Sequence, residues 1–220
     1  MTLERASSFR SELASDLDSL TVTLETIHFS IRFQMFLDSV APNVARQDRS
    51  RQRQALLDEA VSIFARCFPS VRYRVLGSVN VVNAQASVAP TQRLVDLFGG
   101  LAFHRSIGHD GLVWTLLHET GHHLGRGSRL PWADMACECS ADRWALTEGR
   151  KRLQTEGVAF DLFAALRQIE LAARPGHAGR GAKPNATACG SMNWRKRKQA
   201  LVEGKPASHR RCGILGSKQA

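Results

Sequence analysis

Between residues 111 and 124 the chain carries His118-Glu119-Thr120-Gly121-His122 within a run whose apolar residues, Val113, Trp114, Leu117 and Leu124, fall at helical steps. Residues four apart on an α-helix share a face, so a helix here turns both imidazoles the same way. Glu119 then sits beside them without being in line to join them. Two imidazoles held this close suit a shared metal ion, and a catalytic zinc usually takes three protein ligands and leaves one position for water. The chain must therefore fold so that a third ligand reaches this helix from elsewhere. A solvated polar helix face is the bland alternative, and the apolar run around the motif speaks against it.

Candidates for the third ligand are Glu138, Cys137, Cys139, Asp134, His123 and His104. His123 is rotated about 100° from His122 on an α-helix and should miss the ion. A helix is expected over about 133–150, where Glu138 and Asp142 are four apart and share a face beside Ala141 and Ala145. Small residues there would let this helix approach the motif helix closely. Glu138 could then ligate the metal while Asp142 accepts the outer ring N–H of His118 or His122, which fixes the tautomer and raises ligand basicity. Cys137 and Cys139 flank Glu138, point away from it on a helix, and read as small packing residues.

The rest of the chain reads as mainly helical with a small sheet. Residues 2–41 carry Leu13, Leu17, Leu20, Leu24, Ile27 and Ile31 at steps of three and four, ending at Pro42-Asn43. A second helix, roughly 52–68, places Leu56, Ala60, Ile63, Phe64 and Cys67 on one side before Pro69. From 71 to 89 the period falls to two: Val71, Tyr73 and Val75 alternate with Arg72 and Arg74, and Val79, Val81 and Val82 follow a Gly77-Ser78 turn. Two or three short strands are expected there. Residues 91–104 fit either a strand that ends in a turn at Gly99-Gly100 or an amphipathic helix. Asp110 is the expected N-cap of the motif helix, over about 111–124 with Gly125 just beyond it. Helices at 158–173 and about 194–203 complete an α+β chain. Its expected divisions are an N-terminal helical region, 1–70, a core, 71–173, and a basic tail, 174–220.

Charge separates the tail from the rest. Residues 174–220 hold eleven Lys or Arg and one acid, Glu203, whereas residues 1–173 hold nineteen of each sign, so the whole net charge of +10 belongs to the tail. Such a tail can attract nucleic acid or an acidic partner. The five cysteines are scattered and include no Cys-x-x-Cys pair, which indicates neither a disulfide framework nor a zinc ribbon. No apolar run is long enough for a membrane span and residues 1–18 lack the apolar stretch of a signal peptide, so a cytoplasmic location is expected.

The motif followed by Glu138-Cys139-Ser140-Ala141-Asp142-Arg143 resembles the HtpX and CAAX prenyl endopeptidase group of gluzincins, whose second motif is Glu-x-x-x-Asp. It also resembles the ImmA/IrrE-like peptidases, which share the two-helix logic. Asn83-Ala84 and Phe98-Gly99-Gly100-Leu101 look like the edge strand and turn that precede the motif helix, and Arg195 to Leu201 is a faint match to a late Arg-containing helix. The resemblance implies a zincin-like domain with one Zn2+ per chain on His118, His122 and Glu138. It implies Glu119 as general base, Asp142 as a carboxylate behind the ligands, and a peptide or protein as substrate. A peptide could pair with the sheet edge around 79–89. Tyr73, His104, His109, Arg195 and Arg197 are candidate donors to a tetrahedral oxyanion. The rival reading is a nucleic-acid-associated protein that uses its tail and keeps a structural or vestigial zinc.

Overall fold

The computed structural model describes residues 47–126, 129–130, 133–173 and 194–204. The helix expected over 2–41 and most of the basic tail lie outside these residues. Helix α1, Arg51–Cys67, starts where the Ser50 hydroxyl accepts the Arg53 N–H at 3.2 Å. It buries Arg53, Leu57, Ala60, Phe64 and Cys67. Leu57 and Phe64 are fully buried, with Leu56 and Ile63 only packed against the core, so the buried face is rotated slightly from the expected one. The Arg53 guanidinium is itself buried: Nε donates to Ala102 O and Nη1 to Ile107 O, both at 2.6 Å, which ties down the approach to the motif helix.

Three strands follow: β1, Val71–Leu76, β2, Ala84–Ala89, and β3, Gln92–Phe98. They lie in the order β1-β3-β2, with β1 parallel and β2 antiparallel to β3. Of the two readings of 91–104 the strand is the one realised, and β3 runs straight into a single helical turn, α2, Gly99–Ala102. The expected strand at 79–82 does not form. There the chain runs against α2, where Val79 O accepts the Gly100 N–H and Val81 O the Leu101 N–H, each at 3.1 Å. That approach needs the two glycines, since a Cβ on Gly99 would lie 2.3 Å from Gly77 O and one on Gly100 2.3 Å from the Val81 carbonyl carbon.

The motif helix is α3, His109–Leu124. It is buried nearly all round between Gly111 and Leu117 and packs on β2, β3 and the helices that follow. Leu112, Leu116 and Leu117 are fully buried, each contributing about 1.5–3 kcal/mol. Asp110 does not cap it. The helix begins after Gly108, and Gln168 from a later helix caps it from outside, its Oε1 accepting the N–H groups of Gly108 (2.8 Å) and Gly111 (2.9 Å). Asp110 lies inside the first turn, where its Oδ1 accepts the Asp161 N–H instead. Gln168→Ala would leave two N–H groups at a helix start unpaired. A loss of about 1–2 kcal/mol is expected, read from the urea midpoint, and an unchanged midpoint would refute this capping role.

Past α3, two short strands pair antiparallel, β4, Arg129–Leu130, and β5, Ala133–Ala136. The helix expected from 133 therefore starts later, as α4, Glu138–Trp144, because 133–136 are taken up by strand pairing and Cys137 is extended. A π-helical turn, Ala145–Gly149, joins α4 to α5, Arg150–Thr155. Helix α6, Leu162–Ala173, lies along α3, and α7, Trp194–Val202, contacts α6. The described residues form an α+β fold with most of the structure in helices. None of their helices is long and apolar enough to cross a membrane.

Candidate metal centre

Two of the histidines of α3, His118 and His122, face one another with their Nε2 atoms 3.2 Å apart. Their outer nitrogens are both committed. His118 Nδ1 lies 2.8 Å from Asp142 Oδ1 and His122 Nδ1 lies 2.7 Å from Ala136 O. A carbonyl only accepts, and so does an ionised carboxylate, so each Nδ1 carries its hydrogen and donates. The two Nε2 atoms then face the same place, close enough at 3.2 Å to share a proton or a metal ion.

Helix α4 completes the group because it crosses α3 at very short range. At Gly121 an added Cβ would lie 2.6 Å from Ala141 O and 2.9 Å from Ala141 Cα, so only glycine permits this crossing. The contact brings the Glu138 carboxylate 3.3 Å from His118 Nε2 and 3.5 Å from His122 Nε2. Ligand atoms of His118, His122 and Glu138 all lie within 4.8 Å of one another, close enough for a metal ion to be held. The sequence left open which histidine Asp142 supports. It is His118, while the Ala136 carbonyl supports His122.

Electrostatics fit the same reading. Burial would push the His118 imidazole down, but its hydrogen bond to Asp142 and the nearby Glu138 outweigh this and hold it up at about 10. Burial would likewise raise Glu138 and Asp142, yet His118 and Arg197 keep both carboxyls below the usual range. Arg197 comes from α7: its Nε and Nη2 donate to Asp142 Oδ2 (3.0 Å) and Oδ1 (2.8 Å), and its Nη1 lies 2.7 Å from Glu138 Oε2. This guanidinium, 55 residues along the chain from Asp142, is the part of the site that sequence reading placed least well.

Glu119 stands apart from the three. Its Oε2 accepts the Ala86 N–H at 2.7 Å, so the motif glutamate is tethered to the edge strand β2. That bond directs the Ala86 N–H away from β3, and by strand alternation the main chain at Ala84 and Val88 faces the same way. The sheet edge beside Glu119 is thus 84–89, the second half of the stretch expected.

Other candidates lie elsewhere. Tyr73 OH is buried against Thr120 Oγ1 at 2.8 Å, and Thr120 is about 200° round the helix from His118. Burial raises its phenol, which the Thr120 contact only partly offsets. His104 is buried in the connection before α3, where its Nδ1 accepts the Ser106 N–H. His109 opens α3, about 13 Å along the axis from His118. None of the three reaches the ligand group to serve an oxyanion there. His123 does miss the group, but it is no surface residue: its Nε2 donates to Leu94 O at 2.8 Å, and burial pushes it down to about 4. Cys137 and Cys139 are buried thiols outside the ligand group, and burial pushes the Cys139 thiol up to about 12. The side chains of Asp134 and Arg195 lie outside the described residues.

No family model, curated protein or solved structure matches this chain.

Its donors alone say what the site can do. Two imidazoles and one carboxylate, oriented from behind, suit a divalent ion with one position left open, and a separate carboxylate, Glu119, lies against strand β2. Among the described residues of the basic segment, Arg197 is paired with Asp142 and Glu138, and Lys198 forms a half-exposed ion pair with Glu170 at 2.6 Å.

Proposed function

We propose that the chain is a zinc-dependent peptidase of the gluzincin type, built on a zincin-like core. One observation carries this reading: three ligand atoms converge from α3 and α4 while Glu119, the remaining charged residue of the motif, is held out of the group and against a strand edge. The resemblance of the two motifs to the HtpX and CAAX prenyl endopeptidase group, and to the ImmA/IrrE-like peptidases, points the same way. His2Glu ligation favours zinc over other divalent ions.

His118, His122 and Glu138 would hold the ion. When bound, zinc supplies a Lewis acid that lowers the pKa of a coordinated water to about 7. Glu119 takes a proton from the attacking water and returns it to the leaving amine as the peptide bond breaks. Asp142 holds the His118 ring with Nε2 forward, and the Ala136 carbonyl does the same for His122. The main chain of β2 at Ala84 and Val88, with the Ala86 carbonyl, can align an extended peptide by strand addition. The rival nucleic-acid reading draws on the basic tail alone, and two cations of that segment are already used within the fold.

The test is metal content and chelator-reversible cleavage. Purified wild-type chain is expected to carry about one zinc, to lose it in Glu138→Ala, and to cleave a mixed peptide library only when loaded. Stoichiometric zinc in Glu138→Ala would refute the ligand set. A zinc-loaded chain that leaves every peptide intact would refute the activity.

A further inference from the structure

We propose that Arg197 is a positioning residue of the metal centre, which reaches in from α7 and presets the Glu138 and Asp142 carboxylates for a divalent ion. The inference rests on the metal-site reading above and is independent of the peptidase chemistry.

The guanidinium bridges two carboxylates that lie one helical turn apart on α4. Its Nε and Nη2 engage both oxygens of Asp142, and its Nη1 reaches Glu138 Oε2. A planar fork suits this double task, because one face grips a carboxylate in two places while the third nitrogen reaches the next. Two acids set side by side in a buried site repel each other, and imidazoles that have given up a proton to hold an ion no longer offset that charge. Arg197 supplies the missing positive charge at fixed geometry. Glu138 has the greater need of it: its side chain is 26% exposed, against 4% for Asp142, so it has room to swing towards solvent.

Helix α7 is itself anchored, through the Lys198–Glu170 ion pair and the buried side chain of Leu201. Helix α7 is therefore part of the metal centre, and the basic stretch supplies one of the site's structural members through Arg197. Lysine could not replace the arginine fully, since an ammonium is a point charge that meets one carboxylate well and cannot bridge two.

The test compares full-length wild type, Arg197→Ala and Arg197→Lys. Zinc affinity is read by competition with a chromophoric chelator, and the ligand geometry by the visible spectrum of the cobalt(II)-loaded chains. Arg197→Ala is expected to weaken zinc about 10- to 100-fold and to shift the cobalt bands. Arg197→Lys should fall between the two, and it carries the test alone if the alanine variant does not fold. Wild-type affinity in both variants would overturn the proposal. So would a loss of affinity with an unchanged cobalt spectrum, which a merely structural role would give. A wild-type chain that binds neither zinc nor cobalt would instead refute the metal site, and this inference with it.

Discussion

Glu119→Gln is expected to keep the metal and lose hydrolysis by about 10²- to 10⁴-fold, the range that removal of a positioned general base gives. Glutamine matches glutamate in size, and its amide oxygen can still accept the Ala86 N–H that Glu119 Oε2 accepts now. The tether to β2 and the packing of α3 should therefore survive. The ligand group does not include Glu119, so zinc content should stay near wild type. What disappears is a carboxylate able to take a proton from water and hand it on. The measurement is kcat/KM on the best-cleaved peptide of a library, with zinc content determined on the same preparation. Undiminished turnover in a zinc-replete Glu119→Gln chain would end the proposed mechanism. Loss of zinc along with activity would show instead that Glu119 helps to build the site.

Gly121→Ala is expected to be a damaging single-methyl change at the crossing of α3 and α4. Its Cβ would lie 2.6 Å from Ala141 O and 2.9 Å from Ala141 Cα, which are backbone atoms and cannot swing aside. Two effects compete. Alanine gains up to about 1 kcal/mol over glycine within a helix. Overpacking of a tight contact costs about 1–3 kcal/mol, and here relief requires α3 and α4 to move apart as bodies. The clash should win, by about 1–2 kcal/mol, or roughly 2–8 °C in Tm for a chain of this length. The same separation carries Glu138 away from His118 and His122, so zinc affinity should fall together with stability. Thermal unfolding with and without added zinc checks both parts. A wild-type Tm and wild-type zinc binding in this variant would show that the helix crossing is looser than its contacts imply.

Where expectation and structure part, the cause is tertiary. Ala133, Asp134, Met135 and Ala136 carry no strong strand signal, yet they pair with residues 129–130, and the Ala136 carbonyl is spent on His122. Val79 and Val81 look like strand residues, yet their carbonyls serve the start of α2. Asp110 looks like a cap, yet Gln168, 57 residues beyond Gly111, does the capping. In each case a local preference worth well under 1–2 kcal/mol meets a backbone hydrogen-bonding demand of equal or greater size, set by distant residues.

The sequence by itself determined what depends on spacing within one or two helical turns. His118 and His122 share a face, and so do Glu138 and Asp142, because four residues nearly complete a turn of α-helix. Those two pairings, with the apolar periodicity around them, put Glu138 and Asp142 forward as partners for His118 and His122, and the resemblance to the gluzincin groups implied the full ligand set and the separate role of Glu119. Only the tertiary structure decided how the pairs meet. The close crossing at Gly121 and Ala141, the choice of His118 as the partner of Asp142, the tether of Glu119 to Ala86 and the arrival of Arg197 span 20 to 55 residues of chain. No local period records contacts at that range. They are fixed by which helix faces must be buried together and by the need of each buried polar group for a partner.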